Sequence, residues 1–185
     1  MSRIDLPEPE RMSPEQRAVY DRLIASRGHI FGPFRAALVR PDIAERMQQM
    51  GMLYKEGASI SPAQRQLLVL VTARFWNARA EWWNHVGRSL AAGVPEAVIR
   101  AIRDRRRPDF ADESLAAVHD FVTELYEQRK VSAATHERVV ALVGQVGAVE
   151  LSTAAGYFSM AAFMLNAHDI GIPVESISEL ETLTD

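Results

Sequence analysis

Apolar residues recur along the chain at spacings of three and four, which is the period of an amphipathic α-helix. Such stripes follow one another from Val19 to Leu165. Ser13 and Ser61 each stand before a proline, and this pair of residues is a typical helix start. No segment shows the alternation expected of a strand. The pattern predicts an all-α, single-domain bundle of seven to nine helices.

Glycines and capping residues predict where these helices begin and end. The expected boundaries are Ser13 to Gly28, Pro41 to Gly57, Ser61 onward, Ala78 to Gly93, a short helix from Glu96, one from Asp112, Ser132 to Gly144, and Ala148 to Ala167. Residues 1–11 hold two prolines and are predicted to form an extended arm over the surface or onto a neighbouring subunit. Residues 12–185 form the predicted helical domain.

The last predicted helix differs from the others because it is apolar on nearly every face. A helix without a polar side is expected in a core or in a subunit interface. Its uncharged run, Leu151 to Ala167, approaches membrane-spanning length, but four polar residues and one glycine interrupt it. The run is therefore interpreted as a buried helix, and no membrane association is expected.

The composition narrows the possible functions. The 185 residues carry a net charge of -3, which argues against a general nucleic-acid-binding protein. The chain contains no cysteine, and this excludes disulfides, thiolate metal sites and thiol redox chemistry. The first residues lack the apolar core of a secretory signal, so the cytoplasm is the expected location.

Glu81 and His85 are the candidate catalytic residues. Four residues apart on a helix, their side chains lie on one face, where the carboxylate can orient the imidazole for acid/base chemistry. Exposed pairs with this spacing are common, so a purely structural role is the alternative. Trp82 and Trp83 flank the pair and point in different directions, one towards the core and one towards a pocket or subunit contact. Both are predicted substrate contacts.

A metal site is a less favoured interpretation of the same residues. Glu81 and His85 could supply two ligands and His168 a third, but the repeated Glu-x-x-His unit of helical metal sites is absent. No metal and no cofactor is therefore expected. His119 and His136 are expected on the surface, and His29 at most at a pocket mouth. The basic run at residues 103–107 is interpreted as a solvated helix end.

Residues 61–102 resemble the signature region of the carboxymuconolactone decarboxylase family, which includes the alkylhydroperoxidase D-like proteins. The shared features are the helix start with Arg65, the apolar LLVLVTAR helix, the E-W-x-x-H run at residues 81–85, and the turn AGVP before a short helix. The segments at residues 12–47 and 156–173 resemble a longer subgroup. The resemblance implies an all-helical fold assembled into trimers or hexamers, with pockets near subunit contacts.

The peroxidase branch of this family uses Cys-x-x-Cys followed four residues later by histidine. If His85 is that histidine, Ala78 and Glu81 stand at the two cysteine positions. The glutamate that the redox branch carries after the arginine in the preceding helix is Gln66 here. The resemblance therefore does not extend to thiol peroxidase chemistry.

The decarboxylase branch needs neither cysteine nor cofactor. Loss of carbon dioxide from an unsaturated lactone acid leaves a dienolate, and His85 oriented by Glu81 could stabilise it or protonate it. Arg74 and Arg35 are candidates for pairing with a substrate carboxylate. Phe34, beside Arg35, and Gln66 complete the predicted substrate contacts.

The main hypothesis is a cytoplasmic, cofactor-independent enzyme that performs acid/base chemistry on a small unsaturated acid or lactone. The alternative is a helical oligomer that binds a small hydrophobic ligand or a partner protein and catalyses nothing.

Overall fold

Helices make up the fold, with no strand in residues 2–172 and 179–181, the part that this computed structural model describes. Within those ranges the eight α-helices are α1 (Pro14–Arg27), α2 (Pro33–Ala37), α3 (Pro41–Lys55), α4 (Pro62–Phe75), α5 (Arg79–Ala91), α6 (Glu96–Arg103), α7 (Glu113–Glu127) and α8 (Ala133–Ala167). A short 3-10 turn, Pro9–Arg11, precedes α1. The predicted all-α bundle of seven to nine helices is confirmed.

Helix α4 forms the centre of the bundle. Every residue from Gln66 to Arg74 is buried, because α5, α7 and α8 pack around this helix. A helix that is apolar on all sides needs such cover to stay out of water. Trp82, on α5, is the largest side chain that the core encloses completely.

The predicted starts of α1 and α4 are confirmed as capping boxes. In α4 the Ser61 hydroxyl accepts from the Gln64 amide at 3.2 Å, and the Gln64 side chain accepts from the Ser61 amide at 2.8 Å. Ser13 and Gln16 exchange the same bonds at the start of α1. These bonds satisfy backbone donors that a helix start leaves free. They also fix the helical position of Gln66 on α4.

A tight corner joins α4 to α5. Asn77 adopts a left-handed backbone (φ 49°), and its side-chain oxygen accepts from Arg74 Nη1 at 2.7 Å. The short connection lays the two helices side by side in opposite directions. Gln66 on α4 thereby lies next to His85 on α5.

Helix α8 differs in one respect from the prediction. Gly144 has a non-helical backbone (φ 73°, ψ 174°) at the predicted end of one helix, but the chain becomes helical again at once instead of near Ala148. By length and composition alone, helix α8 could cross a membrane. One of its faces packs on α4 and α7.

The first residues lie on the protein's own helices. The Arg3 amide donates to the His168 carbonyl at 2.9 Å, and Ile4 and Leu6 pack against Leu165 and Ile170. A contact of this arm with a neighbouring subunit, the other place predicted for it, stays a prediction.

Candidate functional site

A cavity of about 330 Å³ lies among helices α1 to α5 and α8. His85 and Glu81 from α5 form part of its wall, with Gln66 from α4 and Phe34 from α2. This volume falls within the range of small-molecule sites. Four of the residues predicted from the sequence therefore meet at one cavity.

The His85 imidazole lies between an amide and a carboxylate. Its Nδ1 atom is 2.8 Å from Gln66 Oε1, a normal hydrogen-bond distance. Its Nε2 atom is 3.3 Å from Glu81 Oε1, which is an ion-pair contact rather than a well-formed hydrogen bond. Glu81 and His85 therefore meet at ion-pair distance, and the hydrogen-bond partner of the ring is Gln66. The side chains of His85 and Glu81 are almost fully buried, with 9% and 6% of their surface exposed.

Four cations share the cavity wall with a single carboxylate, Glu81. They are Arg27, Lys55, Arg65 and Arg88. Since the whole chain carries a net charge of -3, this excess of positive charge is local. A cavity lined by one sign of charge attracts ligands of the opposite sign.

None of the three arginines has a carboxylate at ion-pair distance among the described residues. Arg65 donates to the Tyr54 carbonyl, and Arg27 donates to Gln48 and stacks 3.9 Å from the Phe34 ring centre. Burial lowers the pKa of Arg65, and repulsion from Arg88 lowers this pKa further. Burial is also the main cause that lowers the pKa of Arg27. An anion in the cavity would relieve this repulsion.

Tyr157 adds a neutral donor to the cavity. Burial raises its pKa to about 12, so the hydroxyl keeps its proton at neutral pH. This hydroxyl donates to the Met47 carbonyl at 3.2 Å. It passes very close to Gly51, where an added Cβ atom would lie 2.7 Å from the Tyr157 oxygen and 2.9 Å from Arg27. Gly51 therefore makes room for both side chains.

Comparisons with known proteins bear on the fold. The chain superposes on an alkylhydroperoxidase AhpD core structure, an uncharacterized peroxidase-related protein from Ralstonia eutropha, with a TM-score of 0.77 and 16% identity over 94% of this chain and 93% of that chain. An uncharacterized peroxidase-related protein from a Silicibacter species gives a TM-score of 0.76 and 13% identity over the same shares. The chain has the alkylhydroperoxidase D-like fold. Neither a protein-family model nor a curated protein matches its sequence.

The chain has no cysteine with which to perform thiol chemistry. Both positions that the family resemblance assigns to cysteine hold other residues, the buried Ala78 and Glu81. In place of a thiol, a carboxylate faces the cavity beside His85. The site can therefore move protons but cannot reduce a peroxide through a cysteine.

Three predicted substrate contacts do not line this cavity. Trp82 is completely buried in the core, and its Nε1 atom donates to Glu179 at 3.3 Å. Trp83 packs against Phe31 with ring centres 5.4 Å apart, behind the cavity wall. Arg74 donates to the Arg103 carbonyl, to Asn77 and to Glu181. One tryptophan, Trp82, faces the core as predicted, but neither lines this cavity, and a subunit contact of Trp83 stays a prediction.

The remaining histidines divide between core and surface. His119 is buried, 8% exposed, which corrects its predicted place on the surface. His136 is exposed as predicted, and His29 lines the cavity. Arg35 lies outside the cavity wall and pairs with Glu8 at 2.6 Å. Within residues 2–172 and 179–181, no group of three His, Asp or Glu side chains is placed to hold a metal ion.

Several residues of the cavity wall were not predicted from the sequence. Arg88 could have been predicted, since residues 81, 85 and 88 share one helical face at spacings of four and three. Arg27 and Tyr157 gave no such indication, because they come from α1 and α8, far from the Glu81 motif along the chain.

Proposed function

We propose that the protein is a cofactor-independent enzyme that uses His85 and Glu81 for acid/base chemistry on a small unsaturated acid or its lactone. Decarboxylation of the carboxymuconolactone type, or a related isomerisation or cyclisation, is the reaction we favour. The observation that carries this proposal is the buried Glu81–His85–Gln66 arrangement on the wall of a cation-lined cavity. We further propose a cytoplasmic homo-oligomer.

The cations support an acid as the substrate. A carboxylate seated near Arg65 and Arg88 would have the opposite charge and would separate two groups that repel each other. The same groups would stabilise an enolate oxygen as negative charge moves onto it. A purely hydrophobic ligand would leave the partly buried Arg27 and Arg65 without a counter-ion, which opposes the non-catalytic alternative.

The reaction assigns a role to His85 and to the two side chains that contact its imidazole ring. When the bond to the carboxylate carbon breaks, carbon dioxide leaves and the electron pair stays on the substrate as a dienolate. Protonated His85 then donates its proton to carbon, and solvent restores it. Gln66 holds Nδ1, so that Nε2, which Glu81 contacts, is the atom that exchanges protons.

The test is a panel of unsaturated mono- and dicarboxylic acids and their lactones, followed by carbon dioxide release and by ultraviolet absorbance of the conjugated product. We expect turnover by the wild type and a loss of about 10²–10⁴-fold in kcat for His85→Gln. His136→Gln, at an exposed histidine, is the matched control and should keep full activity.

Folding of each variant is checked by circular dichroism and thermal unfolding. A folded His85→Gln protein that turns over substrate at the wild-type rate would overturn the assignment of His85. If the wild type binds members of the panel but transforms none, the ligand-binding alternative replaces the enzyme.

A further inference from the structure

The hydroxyl of Tyr54 is a buried polar group without a hydrogen bond. Tyr54 lies in the last turn of α3 and is 1% exposed. In the part of the chain that the structure describes, no other buried side-chain nitrogen or oxygen atom lacks a partner. A buried hydroxyl without a partner costs free energy, and proteins seldom contain one. The partner of this hydroxyl is therefore expected to come from outside the chain.

Tyr54 forms part of the wall of the cavity that contains His85. Its ring centre lies 5.6 Å from that of Tyr157 and 6.5 Å from that of Phe158, and both of these residues also line the cavity. Gly51, one turn earlier on the same face of α3, is the residue that the Tyr157 hydroxyl passes. Because these neighbours surround the ring with cavity wall, a molecule in the cavity is the partner that can reach Tyr54.

The other tyrosine of the cavity wall already uses its hydroxyl. Tyr157 donates to the Met47 carbonyl at 3.2 Å. Burial is the main cause that raises the pKa of Tyr157 to about 12, and the nearby Tyr54 adds to this increase. The two phenols are therefore close to each other, yet no hydrogen bond joins them. Of the two, Tyr54 is the one whose proton is available to a ligand.

The charges of the cavity wall decide which kind of acceptor this proton suits. Arg65 donates to the backbone carbonyl of Tyr54, so a charged donor is fixed beside the tyrosine. A carboxylate forms its strongest hydrogen bonds with guanidinium groups, which can hold both of its oxygens. A carboxylate in the cavity therefore goes to the arginines, and the phenol is left for an uncharged acceptor. The carbonyl oxygen of a lactone or a ketone is such an acceptor.

We propose that Tyr54 determines the specificity of the cavity by donating its hydroxyl to an uncharged carbonyl oxygen of the ligand. The ligand then carries this oxygen in addition to the carboxylate that the arginines bind. The inference rests on the proposed function for the carboxylate, and it adds the group that distinguishes the ligand from a simple unsaturated acid. If the reaction places negative charge on the carbonyl oxygen, the same hydrogen bond becomes stronger.

Two ligands that differ at one ring position test the inference. Paraconate is a saturated five-membered lactone with one carboxylate, and tetrahydrofuran-3-carboxylate has the same ring and carboxylate without the carbonyl oxygen. Neither contains the double bond of the proposed substrate, so isothermal titration calorimetry measures binding without turnover. We expect the wild type to bind paraconate about 10-fold more tightly than the ether, because only paraconate pairs the buried hydroxyl.

Tyr54→Phe removes the hydroxyl and keeps the ring. We expect this variant to bind the two ligands equally, with the affinity for the ether unchanged from the wild type. A Tyr54→Phe protein that still prefers paraconate as the wild type does would overturn the inference. So would a variant that loses affinity for both ligands to the same extent, since the hydroxyl would then not recognise the carbonyl.

Tyr126→Phe is the matched control at the other cavity. The Tyr126 hydroxyl donates to the Ala155 carbonyl at 3.0 Å and lies 2.8 Å from Thr72 Oγ1. We expect Tyr126→Phe to lower the melting temperature and to keep the preference for paraconate. Tyr54→Phe should do the reverse, with a melting temperature no lower than that of the wild type, because its hydroxyl has no hydrogen bond to lose.

The remaining outcomes separate this inference from the proposed enzyme. Loss of stability in Tyr54→Phe together with an unchanged preference for paraconate would assign a buried water as the permanent partner and reject the inference. Equal binding of both ligands by the wild type would also reject it, while the carboxylate site would stand. A preference for paraconate that depends on Tyr54 supports the inference even if no acid of the panel is turned over.

Discussion

Two cavities in this molecule contain four cations each, and they differ in how those cations are neutralised. In the larger, of about 380 Å³ between α4 and α7, every arginine has a carboxylate within 3.6 Å. In the smaller, which contains His85, Arg65 bonds to a carbonyl, and Arg27 bonds to an amide and stacks on an aromatic ring. A paired cation already has its counter-ion, whereas an unpaired one is available to a ligand.

Asp120 accepts hydrogen bonds from several charged and polar groups at the larger cavity. Burial would raise the pKa of this carboxyl, but hydrogen bonds from Arg107, His119 and Arg138 outweigh burial and lower the pKa to about 2. For His119, in contrast, burial lowers the pKa, and this keeps the ring neutral at neutral pH. This cluster ties α7 to α8 and to the chain after α6.

The largest effect is expected for cations of the smaller cavity. Arg65→Met and Arg88→Met should each weaken binding of maleate, a small unsaturated dicarboxylate, by about 10–100-fold, because each removes a charged contact. Isothermal titration calorimetry measures the affinity. Arg107→Met, in the larger cavity, is the matched control and should bind maleate as the wild type does. If all three variants lose affinity equally, the two cavities do not differ as described.

A smaller effect, on stability, is expected at Asp120. With a folded pKa of about 2 against 3.8 for the ordinary group, the carboxylate contributes about 2 kcal/mol above pH 4, and this contribution is lost as pH falls towards 2. Asp120→Asn should therefore lower the free energy of unfolding in urea at pH 7 but not at pH 2. Glu96→Gln, in an exposed pair with Arg100, is the control. An Asp120→Asn deficit that persists at pH 2 would contradict this explanation.

The smallest effect is expected at Gly51. Gly51→Ala places a methyl group against the Tyr157 hydroxyl and Arg27, which should weaken maleate binding by less than about 10-fold. Stability should change by no more than about 1 kcal/mol, since alanine favours the helix by a similar amount. Gly87→Ala, where the space is open, should leave binding unchanged. A Gly51→Ala protein that binds maleate as tightly as the wild type would show that Tyr157 and Arg27 do not shape the site.

Local patterns predicted most of the fold. The capping boxes at Ser13 and Ser61, and the helix end at Gly28, were found from the sequence because a cap depends on residues three or four positions away. The break at Gly144 was also found, but not the immediate return to helix, which packing against α4 and α7 stabilises.

The candidate site was only partly predictable. The contact between Glu81 and His85 follows from their spacing on one helix, and it is present at 3.3 Å. Trp82 and Trp83 were expected to point in different directions, but which of them enters the core was not predicted, because helical spacing does not say which side of α5 meets the core. His119 was assigned to the surface for the same reason, although its ring packs 5.3 Å from Phe110.

The sequence by itself determined the helical class, the caps, the pairing of an acid with a base on α5, and the exclusion of thiol chemistry. These follow from residue identity and from spacings within one or two helical turns. Only the tertiary structure decided that Gln66 holds the His85 ring and that Arg27, Arg65 and Arg88 share its cavity. Such contacts join residues on different helices, and their energy depends on which charges burial brings together without partners.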